Sequence, residues 1–269
     1  MIQPVSRRPL PTSAHKPPSS GNQAQPISVG ESLPSLANAW NVELRQLEGH
    51  YRELQEDSAF LTDLNDAIRD VPEFLGVQFT HVSDLRLYRC LLYLFTRTFR
   101  PHVFVETGVL NGFSSAFILL AMKHNQAGTL FSVDLPPVDE RIRAQGTGAL
   151  PQGKGPGWAI PAGLRSRHQL SLGDARVVLP QLLERHRPLD VFLHDSDHSY
   201  EHMMFEMSLA WSYLRSAGWL LCDNVEANDS FFEFVRGVDA ISSVAASFDS
   251  PERTWKHGMA RKPGSRQHG

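Results

Sequence analysis

This chain of 269 residues has little with which to brace itself covalently or lodge in a membrane. Its only cysteines are Cys90 and Cys222, and both sit in apolar runs. That excludes a disulfide framework and points to buried free thiols in a reducing, cytoplasmic setting. Long apolar runs are missing too; stretches such as Phe113 to Met122 fall short of a membrane span. Met1 to Gly30 holds no apolar segment of the kind a secretory signal needs. An excess of positive charge is also absent, with 26 Lys and Arg against 29 Asp and Glu. No nucleic-acid or anionic-membrane partner is therefore expected. Core-forming residues are plentiful, at 41% of the chain, enough for one large domain with appendages.

Residues 1–35 are rich in Pro, Ser and Gln and show no apolar periodicity, so they are expected to be disordered. Arg7, Arg8 and Lys16, with no acid before Glu31, give a faint likeness to an organelle transit peptide, but the prolines spoil an amphipathic helix. Residues 36–80 read as a helical extension, from Ala37 to about Arg69. Leu44, Leu47, Tyr51 and Leu54 recur at helical spacing, and so do Phe60, Leu61, Leu64 and Ile68. A substrate lid or a homo-oligomer surface are uses open to it. Residues 81–264 read as the main domain. Ser83 is placed to cap a helix that stops before Pro101.

Strands and helices then alternate. Strands are expected at His102–Glu106, Leu130–Asp134, His168–Leu172, Val191–Leu193 and Trp219–Asp223. Helices follow from the turn at Thr107–Ser115 through Met122, from Asp174 through Arg185, from Tyr200 to Leu214, and from Ser230. Val244–Phe248 and Thr254–Ala260 suit a closing hairpin. The fold class is α/β: a Rossmann-like, doubly wound, mainly parallel seven-stranded sheet with an antiparallel last strand, plus the N-terminal helical extension.

In such sheets ligands sit outside the carboxyl ends of the strands. The stretch Asp190-Val-Phe-Leu-His-Asp-Ser-Asp-His-Ser-Tyr200 ends a buried strand in Asp195, Asp197 and His198. Alone, this cluster reads equally well as a helix cap with solvated histidines or as a site. The turn Glu106-x-Gly108-x-x-x-Gly112-x-Ser114 opens a helix and lets backbone approach a ligand closely. Leu110 stands where a dinucleotide fingerprint has its middle glycine, and Glu106 would repel a pyrophosphate. An acid there suits a ligand carrying positive charge, such as the amine and sulfonium of S-adenosylmethionine (SAM). Asp134, ending the next strand, is placed to bind ribose hydroxyls, and Asp174 to reach an adenine amino group; each is equally readable as a cap. Four successive strands thus end in Glu106, Asp134, Asp174 and Asp195, an alignment that independent caps rarely produce.

These residues resemble the class I SAM-dependent methyltransferases. Within them the sequence is most similar to small-molecule O-methyltransferases of the catechol and caffeoyl-CoA type and the macrolide-sugar type (the methyltransferase domain 24 group). The resemblance covers roughly Ser83 to Lys262 and rests on the Glu106–Ser114 turn, the stretch Asp190–Tyr200 and Leu220-Leu-Cys-Asp-Asn-Val225. It implies SAM bound by Glu106, Gly108, Gly112, Ser114, Asp134, Asp174 and Asp195. It also implies Mg²⁺ or a similar divalent cation held by Asp195, Asp223 and Asn224, whose oxygen ligands suit a hard ion. His198, three residues after Asp195, stands where the group carries its catalytic base, a lysine in the catechol type and a histidine in the macrolide-sugar type. The implied activity is O-methylation of a small hydroxylated molecule of natural-product or sugar type, with Asp195 and His198 as its catalytic residues. Two other readings remain: an NAD(P)-dependent Rossmann oxidoreductase and a non-catalytic SAM-binding scaffold.

His194 is read as structural and His202 as a surface residue, because a strand and a helix cannot place His194, His198 and His202 on one helical face. Met203, Met204, Phe205, Met207 and Trp211 read as packing. The Gly- and Pro-rich segment Pro136–Gly163 is a candidate cover for the site, with Trp158 either stacking on a ligand or tucked into the core. Asn228 reads as a helix cap.

Overall fold

The computed structural model describes residues 29–82, 87–137, 150–238, 240–250 and 253–264. The expected tail through residue 28, the Ser83 cap, and residues 138–149 of the Gly-rich segment lie outside the described residues.

Three helices come first: α1 (Val29–Trp40), α2 (Leu44–Glu56) and α3 (Ser58–Ile68). Helix α1 begins before the expected Ala37, and its Val29, Leu33, Leu36, Ala37 and Trp40 are all buried. Pro34 lies within it and had argued for disorder, yet the apolar stripe outweighs the proline once it has a surface to cover. Leu47, Leu54, Phe60, Leu64 and Ile68 are buried as their spacing implies, while Leu44 is exposed. The main domain follows as α4 (Leu87–Phe99), β1 (Val103–Thr107), α5 (Phe113–Asn125), β2 (Thr129–Asp134) and β3 (His168–Leu172). Then come α6 (Ala175–His186), β4 (Leu189–His194), α7 (Tyr200–Tyr213), β5 (Leu214–Cys222), α8 (Ser230–Gly237), β6 (Ile241–Ser250) and β7 (Arg253–Arg261).

The seven strands form one sheet in the order β3-β2-β1-β4-β5-β7-β6. The first five run parallel; β7 pairs antiparallel with both β5 and β6. The strand order reverses beside β1 and β4, so a crevice opens where those two strands exit. Buried apolar residues fill both sheet faces. One core joins α1–α5 to Val191, Leu193, Trp219, Leu221 and Met259; the other packs α6, α7 and α8 on Val105, Phe192, Leu220 and Ala260. The N-terminal helices are thus built into the core on one face of the sheet. Arg97 of α4 donates to Glu53 of α2 at 2.8 Å, and Tyr93 donates to the same carboxylate at 2.9 Å, which fixes α2 in place. Among the described residues no helix is long and apolar enough to cross a membrane.

Candidate active site

The exits of β1, β4 and β5 are tied side by side. The Asp195 amide donates to Thr107 O at 3.0 Å, and the Asp223 amide donates to His194 O at 2.9 Å. Gly108 makes the closeness possible: its φ is 81°, and a Cβ there would lie 1.9 Å from Asp195 O. Gly112 closes the same turn with φ 87°, against Gly157 and Ile160.

Asp195, His198 and Asp223 come together here, each offering a ligand atom within 4.8 Å of the others. Burial and the neighbouring Asp223 push the Asp195 carboxyl well above the usual carboxylate range. Burial also opposes ionisation of Asp223, but hydrogen bonds from His257 and Asp195 overcome it and hold its pKa below the ordinary value. Burial lowers His198, and the adjacent His194 adds to the effect, so its imidazole is neutral near pH 7. His198 Nε2 is buried with no hydrogen-bond partner among the described residues. Asn228 donates to the His198 carbonyl at 2.9 Å and accepts from the Ser230 amide at 3.0 Å, so it ties His198 to the first turn of α8. Asn224, implied as the third oxygen ligand, has a left-handed φ of 53°, and its amide donates to Glu226 at 3.3 Å. Asp197 accepts from the Ser199 amide at 2.8 Å, in the turn that leads into α7.

The remaining strand-end acids are placed less uniformly. Glu106 is 1% exposed and accepts from Ser115 Oγ at 2.6 Å and Ser132 Oγ at 2.7 Å. Burial raises it to about 7 against those two bonds. Its help to a cationic ligand is therefore electrostatic, from beneath the turn. The serine that meets Glu106 is Ser115; Ser114, matched in the motif, is half-buried. Asp134 Oδ2 accepts from the amides of Val109 and Leu110 at 2.8 and 2.7 Å, and Oδ1 from that of Leu135. It thereby supports the turn from the β2 side, with burial pushing its pKa up. Asp174 caps α6 through the Arg176 amide at 2.9 Å. Trp158 tucks against Phe74 and donates to Asn111 of the turn at 2.7 Å.

Several residues escaped the sequence reading. Glu206 is 0% exposed and binds four side chains: Thr107, His194, Ser196 and His202. His202, expected at the surface, is largely buried beside it. The signal was present, since Glu206 is an acid inside the apolar stripe Met203–Met207–Ala210 of α7. Tyr88 and His257 reach Asp195 and Asp223 from α4 and β7. His168 of β3 bonds Ser132 Oγ at 2.8 Å, extending the Glu106 cluster across β2.

Comparison with known proteins bears on the fold and the domain type. A methyltransferase-domain family model matches residues 105–225. No curated protein sequence is a significant match. Among solved structures, the O-methyltransferase TomG from Streptomyces achromogenes, in complex with SAM, superposes with a TM-score of 0.53 at 18% identity, covering 78% of this chain and 92% of that one. Cofactor-bound Rv0187 from MTB gives 0.53 at 15% identity, covering 91% and 100%. The Bacillus cereus O-methyltransferase in complex with SAH gives 0.52 at 14%, covering 77% and 91%. At these identities the likeness is one of fold. The chain is thus similar in fold to these O-methyltransferases, and its segment 105–225 matches a methyltransferase-domain family model.

Proposed function

We propose that this chain is a SAM-dependent methyltransferase that O-methylates a small hydroxylated molecule, assisted by a divalent cation such as Mg²⁺. The observation that carries the reading is the convergence of Asp195, His198 and Asp223 at the β4 and β5 exits, next to the Gly108–Gly112 turn. Two half-buried carboxylates, Asp195 and Asp223, bring together oxygen ligands of the kind a hard cation takes, with the open Nε2 of His198 beside them. Such a cation supplies Lewis acidity, which lowers the pKa of a substrate hydroxyl. SAM supplies a methyl group on a sulfonium that leaves as a neutral thioether.

The chain's own residues would do the following. Asp195 and Asp223 hold the cation. His198, neutral and with Nε2 open, takes the proton from the substrate hydroxyl, whose oxygen forms the new O–C bond. Gly108, Gly112 and Ser114 bring the turn's backbone to the cofactor. Asp134, at the β2 exit, offers the ribose its remaining lone pairs, while Glu106 lends negative potential from beneath. Asp174 is occupied as a cap and is the weakest of the proposed contacts. Most of the rate enhancement would come from alignment of the two reactants. The substrate class, natural product or sugar, is proposed from the histidine at position 198. The protein is read as cytoplasmic, with no nucleic-acid partner.

Calorimetry with SAM and S-adenosylhomocysteine tests this: both bind, chelator abolishes turnover and Mg²⁺ restores it. His198→Ala is expected to lower turnover while S-adenosylhomocysteine affinity persists. Absence of binding to either cofactor form sinks the reading.

A further inference from the structure

We infer that His257 and Tyr88 are positioning residues for the cation site, each holding the outer oxygen of one carboxylate so that the other faces the ion. His257 Nδ1 lies 2.5 Å from Asp223 Oδ1, and Tyr88 Oη lies 3.4 Å from Asp195 Oδ2. Their rings stack, with centroids 4.3 Å apart and planes 18° from parallel. One pair of rings therefore spans both carboxylates. This goes beyond the proposed reaction and rests on its cation reading.

The backbone fixes the pair. In β7 the Cβ atoms alternate, so His257 and Met259 face α4, while Gly258 and Ala260 face α8. Gly258 pairs with Cys222, which sets His257 beside Asp223 just past the end of β5. A Cβ at Gly258 would meet the Phe231 ring at 2.5 Å, so only glycine lets β7 lie this close to α8. On the other face Trp40 of α1 donates to Met259 Sδ at 3.2 Å, closing the layer over the pair. Behind the rings is an apolar-lined cavity of about 20 Å³ bounded by Trp40, Tyr88, Leu91, Phe95, His257 and Met259. An apolar backing of this kind strengthens polar contacts in front of it.

A carboxylate oxygen accepts, so Nδ1 of His257 is the donor to Asp223. Tyr88 Oη donates to Asp195 in the same way. A side chain that orients a ligand from behind commonly accounts for about 10–100-fold in metal affinity. The Tyr88 bond is long for O–H···O, so His257 has the stronger hold.

Mn²⁺ binding to the full chain, followed by electron paramagnetic resonance with Mg²⁺ competition, reads this without turnover. His257→Phe keeps the ring stack and removes the donor; affinity is expected to fall roughly 10–100-fold. His257→Asn restores a donor near the Nδ1 position and is expected to stay within about fivefold of wild type, the worth of one net hydrogen bond. Tyr88→Phe also keeps the stack and is expected to lose about two- to fivefold. Wild-type affinity in His257→Phe overturns the inference, as does an Asn variant as weak as the Phe variant, which would make the ring rather than the donor responsible. Should His257→Phe not fold, unchanged Mn²⁺ affinity in Tyr88→Phe overturns it. A wild-type protein that binds S-adenosylhomocysteine but no Mn²⁺ removes the cation reading itself, and this inference with it.

Discussion

His194 Nδ1 and Glu206 Oε2 lie 2.5 Å apart, and neither side chain has any solvent exposure. Burial alone would push Glu206 up. The His194 charge and hydrogen bond, with those of His202, overcome it and bring the carboxyl down to about 2. The same carboxylate accepts from Thr107 at the β1 exit and from Ser196 after β4. One helix residue thus ties together the segments that carry the site.

Glu206→Ala leaves these donors buried without their acceptor. Breaking a buried charged pair costs about 3–5 kcal/mol, and a loss of that order at pH 7 is expected by urea unfolding. A carboxyl with a depressed pKa adds stability above its unfolded pKa and loses it as pH falls through the folded value. The gap between wild type and variant should therefore narrow from about pH 4.5 down to about 2. Equal stability at neutral pH would remove the organising role.

Glu106 has the opposite sign. Its pKa is raised from 4.5 to about 7, so its contribution is fully present below pH 4.5 and is lost as pH rises through 7. The wild type is expected to lose on the order of 3 kcal/mol relative to Glu106→Gln between pH 5 and pH 8. Urea midpoints of both proteins at the two pH values check this; a constant gap would show that Glu106 ionises normally.

Gly108→Ala would place a Cβ 1.9 Å from Asp195 O at a φ of 81°. Neither the turn nor the β4 exit can keep its place. Strain and overpacking together are expected to cost roughly 2–6 kcal/mol, with S-adenosylhomocysteine binding lost. Gly163→Ala, which meets nothing within 4 Å, is the control and should bind as wild type. Retained affinity in Gly108→Ala would show that the turn can relax.

Local pattern was enough for much of the architecture. Apolar runs broken by glycines and acids mark β1 to β5, and Asp195 and Asp223 could be placed at strand exits because parallel strands deliver their ends to one edge. The closing hairpin was readable too, since both of its segments sit in sequence at the end of the alternation. Helix α1 was misjudged because Pro34 and the polar segment before it look disordered until α4 and Met259 provide a surface to bury Trp40.

By itself the sequence determined the order of strands and helices and which acids end the strands, because these depend on neighbours along the chain. Only the tertiary structure decided which of those acids meet. It made Asp174 a cap and set Glu106 beneath the turn, brought His198 close to Asp195 and Asp223, and introduced Glu206, Tyr88 and His257 from other elements. Strand register and helix packing set those distances, and both arise from residues far apart in the chain.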